Sequence, residues 1–238
     1  MLIMEKELTL IEHLAELRKR IIVSLIALCS ASVISFSFAP RLLRILKLPA
    51  EGLIEKLAFF SPQEAFLVYL RIAFFAGIFF SLPVILYQAW AFILPALDER
   101  VRRWGTSFII FGSFFFISGC LFAYFILIPP ALRFLLNFGK EELQAVISAS
   151  RYISFVVSLI LASGLVFQMP LLSFILTKVG VVNPNFLRRR YRYAIVFVFI
   201  IAAIITPTVD IFNLLLLALP MIFLYEVSIW ISWLAKKI

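Results

Sequence analysis

Six apolar segments separated by polar connections run through the 238 residues of the chain. A helix needs about 20 apolar residues to cross the hydrocarbon of a bilayer at a rise of about 1.5 Å per residue. Four segments meet or nearly meet this length, and the sixth does so only if it is helical through Pro220. The fifth is shorter, which should thin the bilayer or draw in water around the last hairpin. The predicted spans are approximately 21–39, 68–94, 105–130, 151–177, 193–206 and 211–233.

The connections also carry structural signals. Leu10, Leu14, Leu17 and Ile21 form one apolar stripe, so residues 1–20 are predicted to be a cytoplasmic amphipathic helix that leads into the first span. Two longer outer connections, about 40–67 and 131–150, contain apolar positions and should form short helices at the membrane interface. No internal repeat is visible, and residues 1–238 are interpreted as a single membrane domain.

Prolines and small residues predict how the spans pack. Pro83, Pro170 and Pro220 fall inside apolar segments, and each should bend its helix, whereas Pro129 with Pro130 should end the third. Kinked helices of unequal length favour a curved wall with a concave side. Glycines recur every seventh residue in the third segment, which allows close packing either within the chain or against a separate helix. The predicted fold class is an all-α integral membrane protein with six transmembrane helices.

Composition and charge fix the environment and the expected orientation. The chain is 64% hydrophobic and 15% charged, with a mean hydropathy of +1.09, and a soluble domain cannot bury that much apolar surface. The net charge is +9, but the basic residues flank apolar runs, which favours topology and lipid contacts over nucleic acid. With both termini inside, 14 Lys and Arg residues lie in inner regions and 8 in outer ones. The positive-inside rule therefore predicts cytoplasmic N- and C-termini.

Few side chains are candidates for chemistry at membrane depth. Glu226 is the one acid clearly inside a span, and it is either functional or an acid near the cytoplasmic end that is paired or reached by water. Gln168, beside Pro170, is a polar group in the fourth span that needs a partner or water. The chain has one histidine and two cysteines, without metal-ligand spacing, so no metal and no cofactor are expected.

Acids at the inner ends of the spans point to a different chemistry. Glu12 and Glu16 share one helix face, and Glu16 also lies four residues before Arg20, which is a favourable pair. Asp98 and Glu99 lie in the second inner connection. Such carboxylates on a basic surface either form surface ion pairs of little energy or bind a guanidinium ligand through bidentate hydrogen bonds.

Four strings in family order resemble the TatC family, the multispanning core of the twin-arginine translocase. They are HLAELRKR (13–20), YQAWAFILPAL (87–97), the Thr-Pro turn (206–207) and LPMIFLYE (219–226). The resemblance covers nearly the whole chain. It implies a receptor, not an enzyme, that binds twin-arginine signal peptides on folded cargo and uses the proton-motive force. It also implies single-span TatB-like and TatA-like partners, a homo-oligomer, and a multi-pass location in the cytoplasmic (inner) membrane.

The resemblance transfers roles to individual residues. Glu16 and Arg18 match the N-terminal recognition positions, and Phe92 and Pro95 match the first inner loop. Thr206, Asp210 and Asn213 lie where the family docks partner helices. Pro49 matches the first outer-loop proline.

Two positions depart from the family pattern. The loop glutamate of the family is replaced by Val101, so Glu99, two residues earlier, is predicted to supply the carboxylate near Arg103. An acid that the family often carries in the fourth span is Gln168 here, which cannot be charged. The competing functions are a proton- or ion-coupled secondary transporter of small solutes, an intramembrane hydrolase and a scaffold without ligand recognition.

Overall fold

The computed structural model describes residues 10–54, 56–96, 103, 105–137, 146–205 and 211–237, and these residues are overwhelmingly helical. Five helical stretches are long and apolar enough to cross a membrane, and a shorter apolar helix lies between the fourth and the fifth of them. The predicted all-α membrane fold with six apolar helices is thereby confirmed. The helices are α1 (Leu10–Phe36), α2 (Ala39–Lys47), α3 (Pro62–Ile93), α4 (Gly105–Phe122), α5 (Ile128–Asn137), α6 (Ala149–Val166), α7 (Met169–Lys178), α8 (Pro184–Arg189), α9 (Tyr191–Ile205) and α10 (Ile211–Lys237).

Helix α1 joins the predicted amphipathic segment to the first span. It runs from Leu10 to Phe36 without a break, so the basic residues at 18–20 lie in the N-terminal half of a continuous helix. The part of the amphipathic segment before Leu10 lies outside the described residues. A single continuous helix therefore connects the acidic residues Glu12 and Glu16 to the predicted first span.

The third apolar segment does not end at Pro129 and Pro130 as predicted. A π-helical turn, Ala123–Leu127, follows α4, and α5 then continues through both prolines to Asn137. A proline removes an N–H and clashes with the carbonyl four residues earlier. Those carbonyls belong to the π turn, where the wider helical spacing accommodates the two rings.

The other prolines act in two ways. Pro83 and Pro220 lie inside continuous helices, and the sixth segment is helical through Pro220, as its length required. In the fourth segment the helix is interrupted at Phe167 and Gln168, directly before α7 begins with Pro170 as its second residue. This interruption separates α6 from α7, which pairs with the last helix.

The glycine face of the third segment packs within the chain. A Cβ added to Gly119 would lie 2.6 Å from the carbonyl oxygen of Ser163 and 2.9 Å from the Cα of Gly164. Backbone atoms occupy the space that a side chain would need, so α4 and α6 cross at a distance that only glycine permits. Of the two uses predicted for these glycines, the structure shows intramolecular packing.

Hydroxyl groups tie α7 to α10. The Ser173 Oγ donates to the Ser228 carbonyl at 3.0 Å, and the Thr177 Oγ1 and Ser232 Oγ lie 2.6 Å apart. These bonds satisfy polar groups between two apolar helices, where lipid offers no alternative partner.

The described parts of the connections 40–67 and 131–150 contain short helices, as their apolar positions predicted. Two tyrosine hydroxyls bind the C-terminal end of α2. The Tyr152 hydroxyl donates to the Leu46 carbonyl at 2.8 Å, and the Tyr124 hydroxyl donates to the Ile45 carbonyl at 2.7 Å. The last carbonyls of a helix lack partners within it. The Ile45 carbonyl also accepts from the Leu48 N–H, and the Tyr152 hydroxyl gives the Leu46 carbonyl a donor. Backbone hydrogen bonds of Ala58 join the two outer connections to each other.

We expect Tyr152→Phe to weaken the attachment of α2 to α6 and to destabilise the protein. The hydroxyl of Tyr152 is buried, and its loss leaves the Leu46 carbonyl without its donor, so the free energy of unfolding should fall by about 1–3 kcal/mol. Denaturant unfolding of the purified protein in detergent measures this change. Tyr69→Phe is the matched control, and equal stability of both variants would show that the bond to α2 contributes nothing.

Candidate functional site

The candidate site lies where the N-terminal half of α1 meets the C-terminal half of α3. These two helices form the most extensive helix pair in the described structure. They pack tightly at Gly77, where an added Cβ would lie 2.9 Å from the Cα of Ser32. This crossing determines how the two helices align at the opposite end, where the predicted recognition residues are.

A charged hydrogen-bond network joins the helices at that end. The Arg20 guanidinium donates to Glu16 Oε1 at 3.0 Å within α1, and through its other terminal nitrogen to Gln88 Oε1 of α3 at 3.0 Å. The side chains of Arg20 and Glu16 are 28% and 24% exposed, and Gln88 is buried. The Glu16 carboxylate is thus oriented by a fixed cation but remains reachable from solvent.

An aromatic stack lies beside this network. The rings of His13 and Phe92 are stacked with centroids 4.4 Å apart, so α1 and α3 are joined a second time, one turn further out. Pro95 lies in a 3₁₀ turn that extends α3 and is exposed. Arg18 of α1 is also exposed. The surface therefore combines apolar rings, a carboxylate and cations around one helix junction.

The structure brings together only part of the predicted recognition set. Glu16, Phe92 and Pro95 lie on this junction, and Arg18 lies on the same helix. Arg103 is exposed in a turn. Glu99 lies outside the described residues, so its approach to Glu16 stays a prediction.

The remaining predicted residues lie elsewhere. Pro49 is half-buried in the 3₁₀ turn after α2. Asn213 is buried in the first turns of α10, whereas Thr206 and Asp210 lie outside the described residues.

The two polar residues predicted at membrane depth have partners. The Gln168 Nε2 donates to the Gly112 carbonyl at 2.9 Å, which joins the α6–α7 interruption to α4. The Glu226 Oε1 accepts from the Trp230 Nε1 at 3.3 Å on a half-buried surface of α10. For Gln168 this is the helix-to-helix hydrogen bond expected of a buried amide.

Gln88 is the functional candidate that the sequence pattern did not single out. It is a polar residue inside a long apolar run, and that property is the signal that would have found it. His13 was noted as the one histidine of the chain, but its stacking on Phe92 depends on the pairing of two helices distant in sequence. Among the described residues no group of three or more His, Cys, Asp or Glu side chains is arranged to hold a metal ion.

Comparison with known proteins gives the same family over almost the whole chain. The family model for the Sec-independent protein translocase protein (TatC) matches residues 12–220. The TatC protein of Aquifex aeolicus is 41% identical over 232 residues, which cover 96% of both chains. That of Carboxydothermus hydrogenoformans is 40% identical over 228 residues, covering 96% of this chain and 94% of the relative.

Solved structures agree with the sequence comparison. A crystal structure of the twin-arginine translocase receptor TatC superposes with a TM-score of 0.84 at 40% identity, covering 94% of this chain and 100% of that one. A second crystal structure of this receptor, in DDM, gives a TM-score of 0.84 at 39% identity, with 93% and 99% coverage. The family model, the sequence relatives and the solved structures agree, and this chain belongs to the TatC family of Sec-independent protein translocase proteins.

Proposed function

We propose that this chain is the receptor for twin-arginine signal peptides and the core of a translocase that moves folded proteins across the membrane, driven by the proton-motive force. Its solved relatives are described as twin-arginine translocase receptors, and its sequence relatives as Sec-independent translocase proteins. The observation that carries the proposal is the Glu16–Arg20–Gln88 network at the α1–α3 junction. The family comparisons do not support the solute transporter, and TatC proteins are not enzymes.

The network suits guanidinium recognition. Arg20 occupies Oε1 of Glu16, so a peptide arginine approaching from solvent meets a carboxylate that is already desolvated on one side and fixed in direction. Charge-assisted hydrogen bonds of this type are shorter and stronger than neutral ones, and planar guanidinium fits a carboxylate better than lysine does. In our proposal Glu99 receives the second arginine of the peptide, and the Phe92 ring and Pro95 contact its apolar residues.

The orientation and partners are part of the same proposal. Both termini face the cytoplasm of a multi-pass protein in the cytoplasmic (inner) membrane, supported by the distribution of Lys and Arg between inner and outer connections. The buried Asn213, with Thr206 and Asp210, forms the docking region for single-span TatB-like and TatA-like helices. A homo-oligomer provides the assembly in which these partners act.

Site-specific photocrosslinking tests the proposal. A photoreactive residue at Leu17 or Ala96, beside Glu16 and near Glu99, should crosslink to a peptide with the arginine pair and lose most of the product when both arginines are lysine. A probe at exposed Phe59, in the outer connection, is the control for nonspecific contact. Equal yields with both peptides, or labelling of positions 16 and 99 from opposite sides of the bilayer, would exclude the receptor site.

A further inference from the structure

A cavity with one charged residue and an otherwise largely apolar lining lies between α7, α8, α9 and α10, away from the α1–α3 junction. An open cavity of about 470 Å³ there is lined by aromatic and aliphatic side chains and by one cation, Arg190. The apolar groove beneath α2 has a similar volume of about 460 Å³, but none of its described lining residues is charged. The presence of a cation distinguishes the first of these two cavities from the second.

Aromatic rings hold the Arg190 guanidinium at the edge of this cavity. Its central carbon lies 5.8 Å from the Phe186 ring centroid and 5.4 Å from that of Tyr193. Stacking against rings orients a guanidinium while its N–H groups remain directed outward in its own plane. Among the described residues no carboxylate forms a salt bridge with Arg190, and the sequence from 152 to 205 contains no acid at all.

The apolar part of the cavity extends from this cation along the membrane-spanning helices. It follows α9 from Tyr193 through Phe197 to Ile201, a rise of about 12 Å at about 1.5 Å per residue, and Met169 of α7 also lines it. The Tyr225 hydroxyl donates to the Leu187 carbonyl at 2.9 Å and holds α8 against α10 at the same end. The cavity thus has one charged end and one long apolar wall.

We propose that this cavity is a binding site for one anionic phospholipid of the adjacent leaflet, with the phosphate on Arg190 and one acyl chain along α9. Charge selects the occupant, because the exposed Arg188, Arg189 and Arg192 flank Arg190 in the sequence and add further positive charge to this segment. Basic pockets between transmembrane helices are suited to anionic headgroups. The apolar wall gains nothing from a free phosphate, whereas an acyl chain covers it.

Native mass spectrometry of the full chain in detergent, with graded additions of phosphatidylglycerol or phosphatidylcholine, measures the bound lipid. We expect phosphatidylglycerol to be retained over phosphatidylcholine, and Arg190→Gln to lower its retention about five-fold. Arg189→Gln is the matched control, since it removes the same charge from the same cluster but lines no cavity described here, and it should change retention less than two-fold. Ala194→Phe fills the cavity without changing charge and should also lower retention.

Several results would overturn the site. Equal losses for Arg189→Gln and Arg190→Gln would indicate diffuse surface charge. Unchanged phosphatidylglycerol retention by Ala194→Phe would show that no acyl chain occupies the cavity. Displacement of phosphatidylglycerol by soluble glycerophosphate at equal concentration would identify a free-phosphate site. Crosslinking of a partner helix to position 194 in the presence of phosphatidylglycerol would assign the cavity to a protein.

Arg190→Lys is the control for folding. It keeps the charge, so it should retain more lipid than Arg190→Gln if the loss reflects binding and not unfolding.

Discussion

Replacing Glu16 with glutamine should weaken binding of a twin-arginine peptide by about 10- to 100-fold. The substitution keeps the size of the side chain but removes the charge that a guanidinium recognises, and a hydrogen bond to a charged group contributes about 1.5–3 kcal/mol. The loss should be larger at low ionic strength, because part of the attraction is screened by salt. Isothermal titration of the purified protein with the peptide, at two salt concentrations, measures the effect.

The controls separate recognition from folding. Glu51→Gln removes a carboxylate from the exposed outer connection and should leave peptide affinity unchanged. Glu16→Gln should show a weaker preference for the arginine form of the peptide over the lysine form, since of the two proposed carboxylates only Glu99 remains to distinguish them. If the variant still prefers the arginine peptide as strongly as the unmodified protein does, Glu16 does not bind the arginine pair.

A valine at position 77 should both destabilise the protein and disrupt the recognition site at the other end of the helix pair. The added Cβ would lie 2.9 Å from the Cα of Ser32, a backbone atom that can move only if α1 separates from α3. Overpacking of this kind costs about 1–3 kcal/mol. Since α1 is largely exposed and packs mainly on α3, this separation would also withdraw Arg20 from Gln88.

Two measurements follow the effect of Gly77→Val. The melting midpoint in detergent should fall, and the affinity for the twin-arginine peptide should fall with it, although position 77 is far along α3 from Gln88. Ala203→Val is the control, because it also produces a valine within a helix but adds its two methyl groups at an exposed position of α9. Unchanged stability and unchanged affinity in Gly77→Val would mean that this crossing does not position the site.

Hydrophobic length and charge determined the membrane fold from the sequence alone. Apolar runs near the length of the bilayer leave the backbone no solution but helices, because lipid offers no hydrogen-bond partners. The same reasoning predicted the helical last segment through Pro220 and the short helices of the outer connections, both of which the structure contains. The resemblance of two strings to a known family, and not hydrophobic length, predicted recognition roles for Glu16 and Phe92.

Only the tertiary structure decided which residues meet. The path of the helix through Pro129 and Pro130 depends on a π turn whose geometry no local propensity specifies. The contacts of Arg20 with Gln88 and of His13 with Phe92 join positions nearly 70 or more residues apart, and we expect them to depend on the close packing of α1 and α3 at Gly77. A one-dimensional pattern records which face of a helix is apolar, whereas the partner of that face is determined by packing across the whole molecule.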